Sequence, residues 1–90
     1  MEFIHEGKAF RHYNAAGEMD AEITYASKGE GVIEANHTFV DSSLRGQGVA
    51  RRLVDRLADF AREENLKIHP TCPYVVALFE KSTEYDDVKI

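Results

Sequence analysis

Hydrophobic and polar residues alternate through most of the first 40 positions, and a period of two residues predicts β-strands. The alternation is clearest over residues 18–27, whose hydrophobic face consists of Met19, Ala21, Ile23 and Tyr25. Shorter stretches at 3–5, 8–13 and 32–40 predict three more strands, separated by turns that contain glycine. We therefore expect an antiparallel meander in the first part of the chain.

The strand predicted at 32–40 precedes a change of pattern. Counted by twos, one face of this strand consists of Ile33, Ala35, His37 and Phe39. This count places the ring of His37 among hydrophobic neighbours. Asp41 and the two serines after it are residues that end strands and begin turns.

After Gly48 the hydrophobic period becomes that of an α-helix, with a face formed by Ala50, Leu53, Val54, Leu57, Ala58 and Ala61. This long helix should end near Glu64, because Asn65 tolerates the left-handed conformation of a helix cap. A short fifth strand is predicted at 66–71, and Pro73 suits the first turn of a second, shorter helix. A strand–helix–strand connection makes the fourth and fifth strands parallel neighbours, so the predicted fold class is α+β.

The composition, with 43% hydrophobic and 30% charged residues, is that of one domain spanning residues 1–90. No segment is apolar enough to cross a membrane and no signal sequence is visible, so we expect a cytoplasmic protein, and a monomer. A formal net charge of −5 argues against a nucleic-acid partner. The four histidines and Cys72 do not show a spacing typical of a metal site.

The turn before the long helix, Arg45–Ala50, has the features of an anion site. Gly46 and Gly48 permit a tight turn and let a ligand approach the backbone. The first amides of a helix lack partners within it and have partial positive charge, to which Arg45 and Arg51 add their own. A glycine turn that only connects two elements would explain the same spacing equally well.

Arg45-x-x-Gly48-x-Ala50 matches the signature Arg/Gln-x-x-Gly-x-Gly/Ala of the GCN5-related N-acetyltransferases (GNATs). A longer pattern runs from His37 to Gly48, continues as Pro70-x-Cys72-Pro73-Tyr74-Val75 and closes with Glu84-Tyr85; it resembles the minimal single-domain group of that superfamily. The resemblance implies a minimal GNAT-like fold, in which a mostly antiparallel five-stranded sheet has a splayed parallel pair. It also implies acetyl-coenzyme A as co-substrate, with its pantetheine arm in the splay and its pyrophosphate on the turn.

The resemblance and the turn together assign coenzyme A binding to Phe39, Val40, Arg45, Gly46, Gln47, Gly48, Val49, Ala50, Arg51, Cys72 and Tyr74. Two residues are catalytic candidates. His37 is a candidate base, directly or through water, because histidine titrates near neutrality, although a packed histidine is equally consistent with the pattern. Cys72 is a candidate nucleophile, proton donor or neighbour of the acetyl group, or else a small buried residue.

The chain departs from the superfamily pattern at Phe79, which stands where a tyrosine hydroxyl usually protonates the leaving thiolate. Two functions therefore remain open. The first is an N-acetyltransferase that passes the acetyl group directly to an unidentified amine of a small molecule, a polyamine or a protein. The alternative is a coenzyme A-binding module or sensor with little or no turnover, and a structural domain with an unused turn is a third interpretation.

Overall fold

Five strands in chain order form one sheet, and two α-helices follow the fourth and fifth strands. The computed structural model describes every residue, Met1–Ile90. The elements are β1 Ile4–Glu6, β2 Ala9–Tyr13, β3 Met19–Gly29, β4 Val32–Val40, α1 Val49–Glu64, β5 Lys67–Pro70 and α2 Pro73–Lys81. Strands β1 to β4 pair antiparallel and β4 pairs parallel with β5, which confirms the predicted α+β fold.

Helix α1 packs on the sheet through a continuous row of hydrophobic residues. Its buried side chains are Val49, Leu53, Val54, Leu57, Ala58 and Ala61. The predicted face was right from Leu53 onwards but wrong at Ala50, which is only half-buried. Val49 takes the buried place because it lies four residues before Leu53 and so one turn away on the same face. Burial of each large aliphatic side chain in this row contributes about 1.5–3 kcal/mol.

A β-bulge in β4 changes which of its side chains face α1. Ala35 pairs with Tyr25 and His37 pairs with Thr24, so Asn36 is an extra residue without a partner on β3. The Thr24 hydroxyl donates to Oδ1 of Asn36 at 2.6 Å, which ties the bulged residue to the neighbouring strand. One inserted residue moves every later side chain to the other face of the sheet, and the alternation reverses there.

The bulge makes the predicted common face of β4 wrong at two positions. Ile33 is buried as predicted, whereas His37 and Phe39 are exposed on the opposite face. Thr38, which pairs with buried Ile23, takes the α1 side instead. The side of the sheet away from α1 is called the outer face below, and it includes Arg11, Glu22, Thr24, His37 and Phe39.

The parallel pair of strands, β4 and β5, separates after a short register. Pairing ends at Ala35 and Pro70. The Ala35 carbonyl then accepts hydrogen bonds from the amides of Thr71 and Cys72, at 3.1 and 3.0 Å. Residues 36–40 have no strand partner on this edge, which gives the splay that the resemblance implied.

Candidate functional site

A cleft of about 160 Å³ opens where the end of β4, the turn before α1 and the first turn of α2 meet. It is lined by Val40, Leu44, Arg45, Gly46, Gly48, Val49, Ala50, Arg51 and Tyr74. Eight of these nine residues were predicted to bind coenzyme A, and Leu44 was not. The predicted residues Phe39, Gln47 and Cys72 lie outside the lining. Binding at each position stays a prediction.

Six successive backbone amides, those of residues 46–51, donate to no acceptor in the protein. The first hydrogen bond of α1 runs from the Arg52 amide to the Gly48 carbonyl at 3.2 Å, and no side chain caps the helix. These donors therefore lie at the positive end of the helix dipole. The arrangement suits a phosphate or pyrophosphate, whose oxygens accept several hydrogen bonds at once.

Gly46 and Gly48 determine the shape of the turn, with φ angles of 81° and 73°. Both angles lie in the left-handed region, which costs other residues roughly 1–2 kcal/mol. A Cβ atom on either glycine would meet nothing within 4 Å. Backbone conformation, and not crowding by the protein, is thus what requires glycine, and the space beside the turn is free for a ligand.

The two arginines of the turn have different surroundings. Arg45 is exposed and forms no ion pair, so its guanidinium is free to approach an anion. Arg51 is paired with Glu84 and donates from Nε to the Tyr85 hydroxyl at 3.2 Å. Because the guanidinium of Arg51 already has partners, its free backbone amide is the group that it offers most directly to the cleft.

Cys72 lies at the N-cap of α2 and is only 8% exposed. Its Sγ atom lies 3.5 Å from Oγ1 of Thr38. Burial is the largest influence and disfavours the thiolate, but hydrogen bonds from Thr38 and from the amides of Val75 and Tyr74 together outweigh it, so the pKa of the Cys72 thiol is lowered. No sequence pattern indicates Thr38 as a neighbour of Cys72, because only the bulge turns that side chain towards the thiol.

Backbone amides at the end of β4 point to alternate edges of the strand. The Asp41 amide donates to the carbonyl of Asp20 in β3 at 2.8 Å. By alternation the Phe39 amide also faces β3, whereas the Val40 amide faces the edge from which β5 has separated. Of these two candidate binding residues, Val40 is therefore the one whose amide is directed towards the splay.

His37 stands on the outer face, with 54% of its side chain exposed. Its Nε2 atom lies 3.4 Å from Oε2 of Glu22, whose side chain is 13% exposed. Thr38 and Cys72 lie on the other side of β4. The structure therefore does not bring the two catalytic candidates, His37 and Cys72, together on one face.

The tyrosines near α2 differ in whether their hydroxyls are free. Phe79 is buried and stacks on Tyr85, with ring centroids 5.0 Å apart. The Tyr85 hydroxyl donates to Asp55, and burial, followed by that carboxylate, raises the pKa of Tyr85 to about 12. Tyr74 lines the cleft, and burial raises the pKa of its hydroxyl. Tyr74 is therefore the tyrosine with access to the cleft.

Other kinds of site have less support. No group of three or more His, Cys, Asp or Glu side chains is arranged to hold a metal ion. Neither helix combines the length and the hydrophobicity that crossing a bilayer requires. The cleft and the outer face around His37 are the two regions whose chemistry needs an explanation.

Comparison with known proteins gives agreeing results. Residues 9–88 match a family profile described as GCN5-related N-acetyl-transferase. The chain is 34% identical to a Staphylococcus aureus protein described as GCN5-like, whose solution structure superposes with a TM-score of 0.84 over 99% of this chain and 87% of that one. A 55-residue stretch is 38% identical to Protein NATD1 of Mus musculus, over 61% of this chain and 50% of the relative. The chain spans about half the length of the curated relatives that it matches.

The same fold occurs in more distant proteins. Tetrahymena GCN5 superposes with a TM-score of 0.66 at 13% identity, over 81% of this chain and 48% of that one. At this identity the likeness shows the fold alone. The profile match and the Staphylococcus aureus relative are the findings that decide the family.

Proposed function

This chain belongs to the GCN5-related N-acetyltransferase family, and we propose that it binds acetyl-coenzyme A in the cleft and transfers the acetyl group to an amine. Family and fold together support an acetyl-transfer function. The binding mode, the acceptor and the roles of single residues belong to the proposal.

The observation that supports this proposal best is the row of six free amides at residues 46–51. Backbone donors need a partner, and these lie at a positive helix end beside open space. A pyrophosphate supplies acceptor oxygens for several of them, and Arg45 adds a charge-assisted hydrogen bond. The residues present therefore fit coenzyme A, with its pantetheine arm along the unpaired edge of β4.

Acetyl-coenzyme A supplies an acetyl group on a thioester, which is reactive towards amines. In direct transfer a C–N bond forms as the C–S bond breaks, the amine loses one proton and the departing sulfur gains one. The Val40 amide stabilises the negative charge that develops on the carbonyl oxygen. Pairing of β4 with β3 holds this donor in place before the substrates arrive.

His37 and Cys72 perform the two proton transfers on opposite sides of β4. His37, on the outer face, accepts the amine proton at a ring nitrogen. Cys72, on the α1 side, donates its thiol proton to the departing thiolate, and its lowered pKa makes it a stronger acid than an ordinary cysteine thiol. Cys72 thereby takes the place of the tyrosine hydroxyl that Phe79 lacks. The acceptor amine and the coenzyme approach from different sides of one strand.

One observation favours the alternative of a coenzyme A-binding module with little turnover. Phe79 has no hydroxyl, and the neighbouring Tyr85 hydroxyl is already bound to Asp55. If Cys72 does not act as the proton donor, binding persists without efficient transfer. The cleft is the same in both cases, so binding alone does not distinguish the two functions.

A turnover assay with a panel of amines distinguishes them. The panel contains small-molecule amines, polyamines and a lysine-rich peptide, and hydrolysis of acetyl-coenzyme A is measured in parallel. We expect transfer to at least one amine at a rate above that of hydrolysis. Calorimetry with coenzyme A on the same samples completes the test: binding without transfer favours the module, and no binding contradicts both functions.

A further inference from the structure

Three side chains on the outer face form a connected row across β2, β3 and β4. Arg11 donates from Nε to Oε1 of Glu22 at 2.8 Å. The other carboxylate oxygen, Oε2, lies 3.4 Å from Nε2 of His37. Oε1 of Glu22 is thus held by a hydrogen bond from Arg11, and Oε2 lies within ion-pair distance of His37.

The Glu22 carboxylate is more buried than the carboxylates of ordinary surface ion pairs. Its side chain is 13% exposed and that of Arg11 is 33% exposed. A carboxylate removed this far from water needs partners for both oxygens, because desolvation disfavours its charge. The guanidinium of Arg11 also lies 3.6 Å from the carboxylate of Glu6, so Arg11 contacts both acidic side chains. Arg11 therefore restrains the Glu22 carboxylate at a position within ion-pair distance of the His37 ring.

The bulge at Asn36 determines that His37 lies on the same face of the sheet as Glu22 and Arg11. It places His37 opposite Thr24 on the outer face and beside Glu22, instead of on the α1 side. The other near neighbours of the ring on β3 and β4, namely Thr24, Asn36 and Phe39, are uncharged. Glu22 is the carboxylate that lies within ion-pair distance of His37.

We propose that Glu22 is a positioning residue for His37. The negative carboxylate of Glu22, 3.4 Å from Nε2, attracts a hydrogen on that nitrogen and so favours the tautomer whose Nδ1 has no hydrogen. Nδ1 then accepts the proton that the amine loses, while Glu22 keeps its charge and the acetyl group moves from sulfur to nitrogen. This inference rests on the proposed function, and it specifies which ring nitrogen takes the proton.

The ring tautomer can be measured without any turnover. Nitrogen-15 chemical shifts of the imidazole are recorded at mildly alkaline pH, where a histidine ring is neutral. His37→Gln identifies the His37 signals among those of the four histidines. We expect Nε2–H in the wild type and a mixture of tautomers in Glu22→Gln, because a carboxamide both donates and accepts. Glu34→Gln is the matched control, since Glu34 accepts from the Thr71 hydroxyl at 2.7 Å and lies outside the row.

Kinetics then test whether the tautomer matters for transfer. Glu22→Gln should lower kcat about tenfold, a part of the hundredfold or more that a general base contributes, and leave the KM for acetyl-coenzyme A unchanged. In a His37→Gln background the same substitution should have no further effect, because the residue it acts through is gone. An equal loss of kcat in both backgrounds would show a merely structural role and overturn the inference.

The two readouts separate this inference from the proposed function. Acetyl transfer by a wild type whose His37 tautomers are mixed, or unchanged in Glu22→Gln, would overturn the positioning role alone. Absence of transfer to every amine by the wild type would overturn the proposed function and this role with it. A single Nε2–H tautomer that Glu22→Gln abolishes, together with the selective loss of kcat, would establish both.

Discussion

The turn Arg45–Ala50, together with the adjoining amide of Arg51, and the outer face around His37 offer ligands two different kinds of contact. The turn presents backbone amides, six of which have no acceptor in the protein. The outer face presents side chains: Arg11 donates to Glu22 at 2.8 Å, and His37 lies 3.4 Å from the same carboxylate. Backbone contacts depend on conformation, whereas side-chain contacts depend on the identity of single residues.

This difference determines how each region should respond to substitution. In the turn, most side chains can change without removing a donor, provided that the glycines keep their left-handed φ angles. On the outer face, replacing one oxygen of a carboxylate by nitrogen changes the chemistry of the site. Binding of coenzyme A and transfer of the acetyl group should therefore be separable by mutation.

Gly48→Val should have the largest effect, and on binding. Its left-handed φ of 73° becomes strained by roughly 1–2 kcal/mol, and the new side chain occupies the space beside the amides. We expect about a thousandfold weaker coenzyme A binding by calorimetry, or about 4 kcal/mol. Gly17→Val is the matched control, because Gly17 has a φ of 80° and equally open surroundings but lies outside the cleft.

A melting experiment checks the same pair of variants independently. Coenzyme A at a hundredfold excess over its dissociation constant should stabilise the wild type by about 2.7 kcal/mol, because it binds only the folded state. For a chain of this size that corresponds to an increase in Tm of about 10 °C or more. Gly17→Val should keep this shift and Gly48→Val should lose it. Wild-type affinity in a folded Gly48→Val protein would contradict recognition by the backbone.

His37→Gln should have the next largest effect, and on transfer. If His37 is the base, its loss should lower kcat by about a hundredfold and leave coenzyme A affinity unchanged. His69→Gln makes the same chemical change at a half-buried position in β5 and should leave kcat unchanged. Steady-state rates and calorimetry on the same preparations measure both quantities. Weaker coenzyme A binding by His37→Gln at an unchanged kcat would contradict the assignment of binding to the turn and of transfer to the outer face.

The position and conformation of the turn were predictable from the sequence because they depend on local chemistry. Two glycines, a flanking Arg45 and the onset of helical periodicity are neighbours in the chain, and they remain neighbours in the fold. The error at Ala50 was also local, since Val49 lies four residues before Leu53 and shares its buried face. Strand and helix positions followed from the same short-range periods.

The outer face was not predictable in the same way, because it depends on the register between strands. Nothing in the sequence of β4 marks Asn36 as a bulge. The bulge is visible only from the strand pairing, in which Thr24 pairs with His37 and Asn36 has no partner. The same insertion moves Thr38 towards Cys72, 34 residues later in the chain. The hydrophobic periodicity of β4 alone does not predict this register, because the register depends on how β4 pairs with β3.

Arg45→Ala tests how much one side chain adds to the backbone donors of the turn. We expect about tenfold weaker coenzyme A binding, as for the loss of one charge-assisted hydrogen bond. Arg51→Ala should have a smaller effect, because the guanidinium of Arg51 is already paired with Glu84. Calorimetry at two salt concentrations tests this, since the Arg45 contribution should shrink as salt rises. A larger loss for Arg51→Ala would mean that its pair with Glu84 opens when the coenzyme binds.

Cys72→Ser should have the smallest effect and tests how the two sides of β4 share the reaction. If Cys72 only donates a proton, the variant should bind coenzyme A normally and lose less than about tenfold in kcat, because water can replace the donor. If Cys72 is a nucleophile, the variant should lose essentially all transfer. Steady-state rates with the best amine of the panel distinguish these outcomes.

We expect direct transfer because of where the groups lie. Cys72 is 8% exposed on the α1 side, whereas His37 stands on the outer face. An acetyl-cysteine would have to be attacked by an amine on the side proposed for the coenzyme, away from His37. Intact-mass spectrometry of the wild type with acetyl-coenzyme A and no acceptor should therefore show no added acetyl group. Stoichiometric acetylation at Cys72 that an amine then discharges would instead place both steps on the α1 side and leave His37 without a part in them.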